Sequence, residues 1–177
     1  KTYTFEATEK AVLKAVFEKM GEEADKSLLK FAMQYAEEQM ADERYPDVIP
    51  AVRKAYEKAY KDAKEVYENP AATEAEVENA YWTLIEAGQK LNWYKGDITN
   101  LQVAYDLYAG RDLSIYTEGT RKALEEALTE AKEILDLGEN AVKDLVDAAL
   151  EKLNAAIGKL ELISANKTKL EELVKEA

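Results

Sequence analysis

The sequence predicts an all-α protein: two tandem three-helix bundles in an elongated array, with an extra N-terminal helix packed on the first. Its composition favours helix, because only seven Gly and three Pro interrupt 177 residues that are rich in Ala, Glu, Lys and Leu. Apolar residues recur at helical spacing, for example at Ala55, Tyr56, Ala59, Tyr60, Ala63 and Val66. Caps and apolar positions also repeat along the chain, which indicates a repeated unit.

Turn and capping signals divide the chain into helices. The segment YPDVIP (residues 45–50) cannot be helical throughout, and it offers Asp47 as a cap with Pro50 in the first turn. Thr73 is followed three residues later by Glu76, the pattern of a capping box. The predicted helices cover residues 8–20, 26–42, 50–68, 74–92, 99–109, 118–136, 141–162 and 167–177.

The repeat is visible by comparing the chain with itself. DKSLL, from Asp25, corresponds to DITNL, from Asp97, and to NKTKL, from Asn166. RKAYEKAYKDAKEVY, from Arg53, matches RKALEEALTEAKEIL, from Arg121. Each step is roughly seventy residues, the length of a three-helix unit, so the chain holds two complete units and the beginning of a third.

These correspondences set the predicted domain organisation. Module 1 covers residues 25–96, module 2 covers residues 97–163, and residues 164–177 are the first helix of a truncated third module. Residues 1–24 do not fit the repeat, because KTYTFE alternates like a short strand and an amphipathic helix over residues 8–20 follows. We interpret this segment as the end of a preceding domain or a linker.

Two stretches carry a likeness to a known family. They are AYEKAYKDAKEVYENPAATEAEVENAYWTLIEAGQKL and ALEEALTEAKEILDLGENAVKDLVDAALEKLNAAIGKL, and NKTKLEELVKEA opens a third copy. Both resemble the FIVAR ("found in various architectures") repeat, a helical module of Gram-positive extracellular proteins. The third-helix signature falls on Thr73, Glu76, Val77, Ala80, Leu84, Ala87 and Leu91. The second unit departs from it, with Asn140 near the cap, and another Ala-rich repeat such as an albumin-binding GA-type module is the alternative.

The resemblance implies a three-helix bundle used in tandem within cell-wall-anchored adhesins and large secreted glycosidases. It therefore implies an extracellular, secreted or cell-wall-anchored protein and a non-catalytic spacer or stalk. The implied partners are neighbouring domains of the same polypeptide, and we expect a monomer. The alternative function is an adhesion module in which an exposed helix face binds a host protein or a glycan.

Composition excludes several classes of function. The chain has no histidine and no cysteine, which removes imidazole and thiol chemistry, and the sequence predicts no catalytic, cofactor or metal site. Its acidic groups lack a calcium-loop pattern and are expected to be solvated. The net charge of −12 disfavours nucleic acid and anionic membranes as partners. No apolar run reaches the ~18 residues that span a bilayer. Because the chain begins at Lys1, without an initiator Met, we expect a segment of a longer protein.

Five residues are candidates for binding or for contact between modules: Trp82, Ile85, Trp93, Tyr94 and Tyr116. On a helical wheel the two tryptophans project away from the predicted core side, and Ile85 lies on the flank. We expect the helix over residues 8–20 to pack on Trp82 and Ile85. Trp93 and Tyr94 stand where the two units join, and Tyr116 precedes a helix start.

The two predicted joints differ in sequence. Gly96-Asp97 between the modules suggests a point of bending, because glycine gives the backbone conformational freedom. Ser164, Ala165 and Asn166 include no Gly or Pro, so this second joint is predicted to continue as one helix.

Overall fold

The computed structural model describes residues 24–163 and 174–175. Residues 24–163 contain six α-helices: α1 (Ser27–Met40), α2 (Pro50–Glu68), α3 (Glu74–Gly88), α4 (Thr99–Tyr108), α5 (Glu118–Asp136) and α6 (Lys143–Gly158). Short 3-10 turns lie at Tyr45–Asp47 and Gly138–Asn140. The described residues include no β-strand, only three isolated antiparallel β-bridges. The prediction of an all-α chain with tandem helical bundles is confirmed.

Each bundle has its own hydrophobic core. Helices α1–α3 bury one cluster and α4–α6 bury another. The central side chains occupy corresponding positions of the repeat: Leu29, Tyr56 and Leu84 in module 1, and Leu101, Leu124 and Leu153 in module 2. This agreement explains why the apolar spacing repeats, since each unit folds around the same face of each helix.

The third helix of each module ends about one turn before its predicted end. Helix α3 ends at Gly88 and α6 ends at Gly158. Beyond these residues the chain turns, yet Leu91 and Leu160 still pack against the cores, so the apolar spacing continues where the helix does not. The chain then becomes extended, and a bridge pairs Leu162 with a residue before α5. A continuous helix through the second joint was therefore a wrong prediction, because α6 has already ended.

The predictions for the two ends of the chain lie largely outside the described residues. This applies to the strand-like segment within residues 1–24 and to the helix over 8–20 that was expected to pack on Trp82 and Ile85. Of the predicted helix over 167–177, only residues 174–175 are described, and they are helical.

Local capping signals are present where the sequence placed them. The Thr73 side chain accepts from the Glu76 amide and the Glu76 carboxylate accepts from the Thr73 amide, which confirms the capping box. At the start of α4, Asp97 accepts a hydrogen bond from the Thr99 amide at 2.9 Å. Asp25 and Ser27 repeat this contact before α1. The first correspondence found in the sequence is thus a hydrogen bond at the start of the first helix of each module.

Asp97 makes the stability of the fold depend on pH in the acid range. Hydrogen bonds from the Thr99 side chain and amide lower the pKa of Asp97 below its usual 3.8. A group with a lowered folded-state pKa stabilises the fold above its unfolded pKa, and this contribution is lost as pH falls through the folded value. We therefore expect Asp97→Asn to reduce the drop in melting temperature between pH 6 and pH 2.5, measured by circular dichroism. Asp106→Asn on the same helix is the control, and an equal drop in wild type and Asp97→Asn contradicts the prediction.

Candidate functional site: the joint between the modules

Three short segments between helices meet where the modules join. We call them the module 1 segment (residues 47–49), the central segment (residues 93–96) and the module 2 segment (residues 141–143). The first two pair in antiparallel fashion around the bridge of Val48 and Tyr94. Two backbone hydrogen bonds close this bridge, from the amide of residue 49 to the carbonyl of residue 93 at 2.9 Å and from residue 95 to residue 47 at 2.8 Å.

The central segment uses its other edge to bind module 2. The Gly96 amide donates to the Ala141 carbonyl at 2.8 Å, and the Lys143 amide donates to the Tyr94 carbonyl at 2.9 Å. The central segment therefore pairs with the loop before α2 on one side and with the loop before α6 on the other. Both modules are hydrogen-bonded to the same four residues.

Apolar side chains from both modules pack together in the joint. Val48, Ile49 and Val52 are buried, and Leu91, Tyr94 and Val142 pack against them. Val142 comes from module 2, so the cluster spans both bundles. Burying these side chains against one another stabilises a fixed arrangement of the joint through the hydrophobic effect.

Gly96 is required by close packing. A Cβ atom built on Gly96 would lie 2.5 Å from Cγ2 of Val146 and 3.1 Å from Cα of Lys143. The backbone of the central segment thus approaches the first turn of α6 more closely than a side chain permits. The sequence suggested a bending point here, but the structure gives this glycine a packing role.

A side chain of module 2 caps a helix of module 1. Oδ1 of Asn140 accepts a hydrogen bond from the amide of Ala51, in the first turn of α2, at 2.8 Å. The N-cap residue of α2 is Ile49, which has no side-chain acceptor. Asp47 was predicted as this cap, wrongly, because it lies in the preceding 3-10 turn. Asn140 was not predicted to lie in the joint. The available signal was Ile49, because an apolar N-cap residue leaves the first turn of α2 without an acceptor from its own cap.

The cap from Asn140 gives a direct test of coupling between the modules. We expect Asn140→Ala to destabilise module 1 by about 0.5–2 kcal/mol, because the first turn of α2 loses its side-chain acceptor. Both tryptophans lie in module 1, so the urea transition of tryptophan fluorescence reports its unfolding. Asn154→Ala, at an exposed site on α6, is the matched control. An unchanged tryptophan transition in Asn140→Ala contradicts a role for the cap.

The FIVAR domain matches the chain twice, over residues 25–92 and 99–161. The chain belongs to the FIVAR family. FIVAR domains are typically non-catalytic modules of extracellular proteins. No curated protein and no solved structure matches the chain significantly.

The two candidate tyrosines lie in equivalent bridges of the two FIVAR modules. Tyr94, in the central segment, pairs with Val48 of the module 1 segment and contacts the apolar cluster of the joint. Tyr116 pairs with Leu162 at the far end of module 2. Both are half-buried.

The remaining three candidates do not form one site. Trp93 is 43% exposed and lines a groove of about 700 Å³ between α2 and α3, with the Lys90 ammonium 5.7 Å from its ring centroid. Trp82 is 52% exposed and stacks edge-on against Tyr81, away from that groove. Ile85 is half-buried against the module 1 core. The structure therefore distributes these side chains over separate surfaces.

The first helix of both modules presents apolar side chains to solvent. Leu28, Phe31 and Tyr35 on α1 each expose about half of their surface or more. Val103 and Leu107 on α4 do the same, at the positions that correspond to Phe31 and Tyr35. We call these five residues the helix-1 stripe. Exposed apolar residues that recur at helical spacing are typical of an interaction surface.

Module 2 also carries a groove between α4 and α5. Helix α4 has 10 residues whereas α1 has 14, so the first helix of module 2 is one turn shorter. The groove has a volume of about 580 Å³ and is lined by aromatic, basic and acidic side chains: Tyr105, Tyr108, Arg111, Asp112, Arg121 and Glu125. The Arg111 guanidinium lies 5.8 Å from the Tyr108 ring centroid. Such a mixture of rings, donors and acceptors suits a polar ligand with flat apolar faces.

The acidic side chains of the described residues are dispersed. Ion pairs such as Lys132–Asp136 and Lys58–Asp62 join neighbouring turns of one helix in solvent. Within residues 24–163 and 174–175 no group of three or more carboxylates is arranged to hold a metal ion. None of the helices in this part of the chain has the length and apolarity to cross a bilayer.

Proposed function

We propose that the chain is a non-catalytic spacer in a multimodular bacterial protein, a secreted or cell-wall-anchored glycosidase or adhesin. In this function the FIVAR modules hold neighbouring domains of the same polypeptide at a set separation. The chain acts as a monomer that neither inserts into a membrane nor binds nucleic acid.

The observation that carries the proposal is the construction of the joint. Two backbone hydrogen bonds, an apolar cluster that includes Val142 and a helix cap from Asn140 act between the two bundles, and two further backbone hydrogen bonds hold the central segment against module 1. A spacer transmits a distance only when successive units keep a fixed orientation, and these contacts oppose independent movement of the two bundles. The net charge of −12 also favours a spacer, because it disfavours association with anionic surfaces and polymers.

A distance measurement across the joint tests the spacer. The chain contains no cysteine, so Lys61→Cys and Thr129→Cys introduce two nitroxide labels at equivalent exposed sites on α2 and α5. Pulsed electron spin resonance should give one narrow distance distribution. A broad distribution, as for two bundles on a flexible tether, contradicts the proposal. A second label pair within α5, at Lys122 and Thr129, controls for the mobility of the labels themselves.

The helix-1 stripe favours a second candidate function, adhesion to a host protein. Each module presents apolar residues from its first helix, so a helical or sheet-edge partner can contact the two modules in the same way. The groove between α4 and α5 favours the glycan form of this candidate, because tyrosine rings and guanidinium groups together suit a sugar ring with polar substituents.

Retention of host material separates adhesion from a passive spacer. Immobilised chain is exposed to serum proteins and to mucin, and the same assay is run with Phe31→Asp and Val103→Asp. Adhesion through the stripe predicts specific retention that falls at least about tenfold in these variants, because a charge is placed in an apolar contact. Lys30→Ser on α1 is the control. Equal retention by all variants excludes the stripe as the binding surface.

A further inference from the structure

The far end of module 2 repeats one half of the joint. The Thr117 amide donates to the Glu161 carbonyl at 2.8 Å, and the Ile163 amide donates to the Ile115 carbonyl at 2.9 Å. These bonds have the same pattern as the pair formed by the module 1 segment and the central segment. Residues 161–163 are therefore a second central segment.

The second edge of this repeated segment is unoccupied within the described residues. At the joint, the carbonyl of Tyr94 accepts the Lys143 amide of the next module. Leu162 stands at the corresponding position, and no backbone hydrogen bond among residues 24–163 reaches its carbonyl. The structure thus contains one complete three-segment joint and one that lacks its third segment in residues 24–163.

Exposed apolar side chains surround this edge. Ile115, Leu162 and Ile163 are each more than half exposed. We call these three residues, together with Tyr116, the end face. At the joint the corresponding surface is covered by the apolar Val142 of the following module.

The helix that starts beside the end face also lacks a cap of the kind seen at the joint. Thr117 is the N-cap residue of α5, and no side chain within residues 24–163 makes a cap bond there. Gly119 corresponds to Ala51, whose amide binds Asn140 of the following module. A side-chain amide arriving from a further unit would complete α5 as Asn140 completes α2.

We propose that the end face binds the loop between the second and third helices of a third FIVAR unit, the unit whose first helix the sequence begins at Asn166. The proposal rests on the spacer function, which it extends from one joint to a series. Two observations select this occupant: the end face continues the pattern of the existing joint, and the chain after Ile163 matches the start of a FIVAR repeat.

The geometry also specifies the sequence of that loop. It carries an amide side chain two residues before an apolar residue, as in Asn140 and Val142. Ser164 follows Ile163 where Gly96 follows Lys95, and a Cβ at Gly96 would collide with Val146. The occupant therefore has a residue smaller than valine at the position of Val146.

The test completes the third unit on the full chain. Residues 109–163 are copied after Ala177, which corresponds in the repeat to Tyr108, with Val146→Ala in the copy. Labels at Thr129→Cys of the natural chain and of the copy should give a distance distribution as narrow as that of the Lys61/Thr129 pair. The control carries Asn140→Ala and Val142→Asp in the copy, and its distribution should be several-fold broader.

The outcomes are distinguishable from failure of the spacer function. A broad distribution at the new joint with a narrow one at Lys61/Thr129 overturns the end-face proposal alone, as does a control that stays narrow. A broad distance distribution between the labels at Lys61 and Thr129 overturns the proposed spacer function, on which the end-face proposal rests. If circular dichroism shows no added helix, a second chain decides the matter, in which Ile163 is followed directly by a copy of residues 96–163 with its own glycine.

Discussion

Gly96→Val is expected to open the joint between the two modules. The new side chain enters space already occupied by Val146, and the nearest atoms include the Lys143 backbone, which cannot rotate away. The φ angle of Gly96 is not positive, so the effect is steric and not conformational. We expect a loss of about 1–3 kcal/mol in the free energy of unfolding. The narrow distance distribution between labels at residues 61 and 129 should broaden.

Gly119→Val is the matched control for this substitution. Gly119 also lacks a positive φ angle, and a Cβ built there meets no atom of the described part of the chain within 4 Å. Urea unfolding and the label distances should therefore stay close to those of the wild type. If Gly96→Val leaves the distance distribution narrow, the close approach at Gly96 does not determine the arrangement of the modules.

Leu153→Ala is expected to destabilise module 2 more than any substitution in the joint. Leu153 is fully buried at the centre of the α4–α6 core. Truncation removes the apolar contacts and leaves a cavity, at a cost of about 2–5 kcal/mol. Circular dichroism during urea unfolding measures the loss. Leu145→Ala, at a half-exposed position of the same helix, is the control and should cost much less.

The same variant shows whether the modules unfold together. The tryptophans report module 1, whereas Leu153 belongs to module 2. If the joint couples the bundles, the tryptophan transition of Leu153→Ala moves to lower urea along with the circular dichroism transition. A tryptophan transition that stays at its wild-type urea concentration shows that the two bundles unfold as independent modules.

Local signals in the sequence were sufficient to predict the six helices within residues 24–163 and the two bundles that they form. The capping box at Thr73 and Glu76 involves residues that are three apart in the sequence. The core residues that each helix contributes are likewise recognised from the apolar spacing within that helix alone. The ends of α3 and α6 were placed too late for an equally local reason. Leu91 and Leu160 continue the apolar spacing, but they reach the cores from turns that follow the helices.

The joint could not be derived in the same way, because its contacts join distant parts of the chain. The cap from Asn140 to Ala51 spans 89 residues, and nothing near either residue identifies the other. The role of Gly96 depends on Val146, which only the packing of two bundles brings close. The sequence indicated where the modules meet, through Trp93 and Tyr94, but not which backbone edges pair there.

The cap at α2 has a consequence for the order in which the protein is made. Helix α2 leaves the ribosome before most of module 2 has been synthesised, and Asn140 follows Ala51 by 89 residues. At about 5–20 residues per second, this interval lasts on the order of ten seconds. Once Leu91 has been added, module 1 has all its core residues, while the start of α2 and the second edge of the central segment still await their partners. Module 1 is therefore completed by the module that is translated after it.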